Sequence, residues 1–84
     1  MSAPFYRRIV DDIRARIASG DWPAGSKIPP THELRDYYRH RFNSETLATA
    51  TVERALNVLK VLGELRGQQG LGIFVEGDPS DEKP

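Results

Sequence analysis

The residues of this chain that could do chemistry are cationic or hydrogen-bonding, and they fall into three groups. His32, Arg35, Arg39 and Arg41 recur through one stretch, Thr46, Thr49, Thr51 and Arg54 come after it, and Gln68, Gln69 and Gly70 form a polar tip further on. Arginines neutralise phosphate oxygens, whereas threonine hydroxyls and glutamine amides hydrogen-bond to phosphates or to base edges. Such a set offers positive charge and hydrogen bonds to an anionic partner. Catalysis has little comparable support. His32 and His40 lie eight residues apart in a chain without cysteine and without an HExxH spacing, so two surface histidines are the default. Ser44-Glu45 and the threonines have no base paired with them in sequence, and capping or solvated helix surface explains them. Gln69-Gly70-Leu71-Gly72 looks like a piece of a phosphate loop but lacks the following lysine and the strand-to-helix context. The expectation is a binding protein, not an enzyme, with no cofactor and no metal.

Eighty-four residues make one small domain, and twelve basic and twelve acidic residues cancel overall, which argues against an obvious nucleic-acid binder. The balance is uneven along the chain. Residues 76–84, EGDPSDEKP, hold four acids and one lysine, which leaves residues 1–75 with a net charge of +3. The acidic, proline-containing tail is expected to be disordered, and residues 1–75 to be the folded domain. The absence of cysteine fits a reducing compartment. MSAPFYRRIV lacks an apolar signal core and no eighteen apolar residues run together, so the expected location is the cytoplasm, with no membrane partner.

The elements that must position these groups can be read from periodicity. Tyr6, Ile9, Val10, Ile13 and Ile17 keep helical spacing after Pro4, and the helix stops at Ser19-Gly20. Asp12 and Arg16, four apart, read as a pair on a solvated face. Asp21-Trp22-Pro23-Ala24-Gly25 is turn chemistry, with Trp22 a lid over the first helix. Ser26-Lys27-Ile28 suits a short edge strand before Pro29-Pro30. Thr31 can cap a second helix, whose buried stripe would be Leu34, Tyr37, Tyr38 and Phe42. Ser44 can cap the next segment, and the third helix can begin near Glu45 or only after Ala48. Val52, Ala55, Leu56, Leu59 and Leu62 give that helix an apolar face, and Gly63 stops it. Leu65 with Phe74 and Val75 would supply the inward contacts of a hairpin turned by Gly67, Gly70 and Gly72. A helix delivered straight into a hairpin is the back half of a winged helix.

The stretches YRRIVDDIRARIASGDWPAGSKIPPTHEL, TVERALNVLKVLG and GQQGLGIFV, in that order, resemble the DNA-binding head of the GntR family of bacterial transcription regulators. The resemblance implies an α+β fold, a winged helix-turn-helix of three helices plus a C-terminal β-hairpin wing. Arg7–Ser19 would be the supporting helix and Thr31–His40 the first helix of the motif. The recognition helix would run through Val52, and the wing would span Leu65–Val75. The chain also departs from the family pattern. Ala48-Thr49 stand where a Ser-Arg pair is usual, Glu53 where an arginine comes after the valine, His32 where the second helix carries an arginine, and Leu71 where the wing carries a basic residue. Roughly seven extra residues precede the recognition helix.

That exchange leaves two readings. In one, positive charge has moved to Arg35, Arg39, Arg41 and Arg54, with Lys27 and Arg66, and DNA binding persists, in a transcription regulator that pairs as a homodimer. In the other, a winged-helix interaction or accessory module of a mobile element, plasmid or phage has lost direct DNA binding. Tyr37, Tyr38 and Phe42 would then suit a protein interface. Family regulators generally carry an effector domain after the head; none is expected on this chain, and no small-molecule effector with it.

Overall fold

A computed structural model of the chain describes residues 4–77. The expected disorder beyond Gly77 lies outside the described residues. Three helices, α1 (Phe5–Ser19), α2 (Thr31–Arg41) and α3 (Thr49–Val61), precede two antiparallel strands, β1 (Leu65–Gln68) and β2 (Gly72–Val75). This is the winged helix-turn-helix order.

The helices form where apolar residues repeat every three or four positions, because that spacing gathers one buried face. Ile9, Val10 and Ile13 of α1 meet Val52, Ala55, Leu56 and Leu59 of α3, all between 0 and 4% exposed. Leu62 departs from expectation. It comes after the last helical turn and is 52% exposed, because the chain already turns there toward Gly63, whose φ of +79° only glycine adopts readily. Neither anticipated side-chain cap forms. Pro30 stands at the N-cap of α2 with Thr31 already helical, and Ala48 stands at the N-cap of α3. Helix α3 therefore takes the later of its two starts, and Ser44 instead bonds Thr46 within the preceding loop.

The hairpin alternates as a half-buried ribbon must. Leu65 pairs with Val75 and both face the core, while Arg66 pairs with Phe74 one residue along and faces the other way. The inward partner beside Val75 is thus Ile73, not Phe74. A third segment lies beside β2: Lys27 bridges Phe74, Ile28 N–H donates to Ile73 O at 2.9 Å, and Val75 N–H donates to Ser26 O at 2.8 Å. The expected edge strand is this single bridge.

The Asp12–Arg16 pair belongs to a larger network than a solvated helix face. Tyr38, fully buried on α2, donates its hydroxyl to Asp12 Oδ2 at 2.7 Å; Arg16 Nε donates to the same oxygen at 3.1 Å, and Arg41 reaches Oδ1 at 3.5 Å. Arg16 also donates to the hydroxyl of Tyr37 and lies over Trp22, whose half-buried ring is the expected lid. Tyr37 itself is 40% exposed and leaves the predicted core stripe. Burial alone would raise the Asp12 carboxyl, but the bonds from Tyr38 and Arg16 and the nearby Arg16 and Arg41 charges hold it below its ordinary 3.8. Burial would likewise lower the Arg16 guanidinium, and its bond to Asp12 reverses the sign. Burial and donation to Asp12 push the Tyr38 phenol far above its ordinary 10.0, so it remains a donor.

The extra segment folds onto this cluster. Phe42 stacks between Phe5 at 5.5 Å and Tyr38 at 5.4 Å, with the Arg8 guanidinium 4.2 Å from its centroid. Asn43 takes a left-handed turn, φ +53°, which asparagine tolerates better than most residues. Leu47 is buried, and Arg39 Nε donates to its carbonyl at 2.8 Å. Because Arg39 is the tie between α2 and this loop, Arg39→Ala is expected to cost about 1.5 kcal/mol and to lower the melting temperature by roughly 6 °C or more. Calorimetry checks this. Asp12 has a folded pKa below its unfolded value, so its contribution is complete above the ordinary 3.8 and is lost as pH falls through the lower folded value. Urea unfolding from about pH 7 down to about pH 3 should show a steeper loss of stability for the native chain than for Asp12→Asn.

Candidate nucleic-acid interface

Helix α3 buries one side and leaves the other to solvent. Ala50, Glu53, Asn57 and Lys60 are exposed at intervals of three or four residues, so they form one row along its outer side. Helix α2 meets the start of this row. Arg35, half-buried, donates through Nη1 to Thr49 Oγ1 at 3.1 Å and pairs through Nη2 with Asp36 at 3.1 Å. Two of the expected site residues are therefore bonded to each other across the helix-turn-helix, with the exposed His32 one turn earlier on α2.

Thr51 and Arg54 form a second grouping. They line an open cleft of about 530 Å³ with Pro4, Phe5 and Tyr6, and the Arg54 guanidinium stands 4.0 Å from the Tyr6 ring centroid. Both look toward the start of α1. The wing tip is the third grouping: Leu71 N–H donates to Gln68 O at 2.9 Å, Gly70 takes φ +79°, and Gln69, Gly70 and Leu71 are exposed. Three expected residues stand apart from these groups. Arg39 is used on the Leu47 carbonyl, Arg41 faces Asp12 of α1, and the exposed Thr46 lies in the loop beside Ser44.

The electrostatics around the row are mixed. Glu53 stands exposed at its centre with no ion pair among the described residues, and Glu45 is exposed in the loop before α3. Cations stand at the wing. Arg66 lies on its outer face, 3.5 Å from Glu76 and over Phe74. Lys60, at a polar position of α3, has its Nζ 3.4 Å from where a Cβ would sit on Gly67 of β1. Nothing in the linear order marks it, because the reversal at Gly63 is what returns the strand past the end of α3. His/Cys/Asp/Glu clusters able to hold a metal ion are absent among the described residues.

Comparison with known proteins places this geometry. Residues 5–75 match the family model for bacterial regulatory proteins of the gntR family. A Bacillus subtilis protein named as the uncharacterized HTH-type transcriptional regulator YdfD is 38% identical over 73 residues, covering 86% of this chain and 14% of its own length. A histidine utilization repressor of Pseudomonas putida is 34% identical over 73 residues, covering 87% of this chain and 27% of its own. The chain thus spans between one seventh and about one quarter of these curated relatives. Among solved structures, a GntR family transcriptional regulator from Listeria monocytogenes aligns with a TM-score of 0.75 at 26% identity, over 92% of this chain and 61% of that one. AraR(DBD), solved in complex with operator ORR3, aligns with a TM-score of 0.74 at 28% identity, over 89% of this chain and 82% of that one. With the family model matched from Phe5 to Val75 and the same winged helix-turn-helix in its solved relatives, the chain belongs to the gntR family of bacterial regulatory proteins.

Proposed function

We propose that this chain binds double-stranded DNA as the reading head of a transcription regulator, with α3 in the major groove and the wing against the adjacent backbone. The observation that carries the reading is the exposed row of α3. One face of the helix is locked into the core, and Arg35 bonded to Thr49 fixes where its outer side begins relative to α2. The similarity to AraR(DBD), which was solved with an operator, supports the same use of the fold here. In this reading His32, Arg35, Thr49 and Thr51 serve the helix, Arg54 the flank beside α1, and Gln68, Gln69 and Gly70 the wing. Arg39 and Thr46 act indirectly, within the segment that precedes α3, and Arg41 by tying the end of α2 to α1. The role is binding without catalysis, exercised in the cytoplasm.

Helix-turn-helix readers commonly bind as two copies matched to two half-sites. Val61 and Leu62, 87% and 52% exposed at the end of α3, are apolar surface on which a second copy could close. Light scattering on a duplex with two half-sites should find two chains per duplex; a single chain would remove the homodimer from the reading.

Glu53 gives the sharper test. A carboxylate about 4 Å from a phosphate in water is opposed by about 1 kcal/mol, roughly a fivefold loss of affinity. Glu53→Gln should therefore strengthen duplex binding by about that factor, measured by fluorescence anisotropy at low salt with DNA from upstream of the protein's own coding sequence. An unaltered protein that binds no duplex under those conditions would leave the interaction-module reading standing instead.

A further inference from the structure

Eleven cations lie among the described residues, and most are used internally. Arg14, Arg16, Arg35, Arg41 and Arg66 pair with carboxylates, Arg39 bonds the Leu47 carbonyl, and Arg8 and Arg54 lie over aromatic rings. Arg7, Lys27 and Lys60 alone make no such contact within the described residues. Two of these three stand at the wing.

Their placement is set by the ladder. Residues paired across an antiparallel ribbon share a face, and the face alternates along each strand. Leu65–Val75 faces the core and Ile73, paired with Gly67, packs against it, whereas by register Arg66–Phe74 and Gln68–Gly72 take the alternate face. A Cβ on Gly67 would lie 3.4 Å from Lys60 Nζ, and one on Gly72 would lie 2.6 Å from Lys27 Cε. The lysines therefore cross the ribbon on opposite faces. The absence of a side chain at Gly72 leaves room for Lys27, whereas a Cβ at Gly67 would only touch the end of Lys60. Each lysine's backbone lies outside the hairpin, Lys60 in the last turn of α3 and Lys27 in the segment bridged to Phe74 of β2. The neighbouring carboxylates are already engaged, Glu64 with Arg14 and Glu76 with Arg66.

We propose that Lys27 and Lys60 form a two-sided clamp for the phosphodiester backbone of a duplex, one ammonium on each face of the wing, in place of a cation at its tip. Leu71, 59% exposed, occupies that tip without charge. Lys60 also closes the row Ala50–Glu53–Asn57, so the clamp joins the outer side of α3 to the ribbon. An ammonium is a compact point charge with rotatable donors, and it suits phosphate oxygens whose position varies with groove geometry. The clamp rests on the DNA reading above.

The test uses a duplex of arbitrary sequence, since phosphate contacts carry no sequence information. Anisotropy titrations over a range of salt give the slope of log affinity on log salt, to which each neutralised phosphate contributes about 0.9. Lys27→Gln and Lys60→Gln should each reduce its magnitude by about 0.9 and together by about 1.8, while Lys27→Arg with Lys60→Arg retains it. In the unaltered protein, bound duplex should protect both lysines from acetylation, read by peptide mass. Binding by the unaltered protein with an unchanged slope in the double variant, or equal acetylation with and without DNA, overturns the clamp alone. Failure of the unaltered protein to bind any duplex at low salt overturns the DNA reading and the clamp together.

Discussion

The architecture depends on the burial of one face of α3 against α1. Val52, Ala55, Leu56 and Leu59 are removed from water only if α3 lies along Ile9, Val10 and Ile13, and that contact fixes which side of α3 remains free. The other parts are arranged around this choice. Helix α2 closes over the pair through Leu34 and Tyr38, and the hairpin seals its open end with Leu65 and Val75. A rigid helix with one free side is what insertion into a groove requires, so the packing and the proposed function share one cause.

Polar groups secure the less apolar of these contacts. Helix α2 buries only Leu34 and Tyr38, yet Tyr38 carries a hydroxyl that would be costly to bury without a partner. Asp12 supplies that partner and draws in Arg16 and Arg41, with Arg16 extending the network to Tyr37 and Trp22. The same cluster accepts the extra segment, because Phe42 lies on Tyr38 and Arg39 on the Leu47 carbonyl. Arginines spent in this way are less available to a ligand. Positive charge is consequently freer at the wing than along α2, and this redistribution accompanies the side chains that replace the family's usual cations at His32, Thr49, Glu53 and Leu71.

The sequence by itself determined the elements and their order. Helical spacing marked the buried positions of α1 and α3, glycines marked the stops at Gly20 and Gly63, and the glycine-rich tip marked the wing, because periodicity and turn chemistry are local properties. The family motifs were legible for the same reason. The caps were not: Pro30 and Ala48 stand at the N-caps in place of Thr31 and Ser44, and the choice between the two starts open to α3 fell to the later one. Only the tertiary structure decided what each charged side chain touches. Asp12 and Arg16 read as a solvated pair until α2 brings Tyr38 and Arg41 to them. Arg39 and Arg41 read as free cations until the loop carbonyl and α1 engage them, and Lys60 acquires its place only when the turn at Gly63 lays β1 beside it. A side chain's electrostatic partners come from elements distant in the chain, and no pattern within a single helix or strand encodes that meeting.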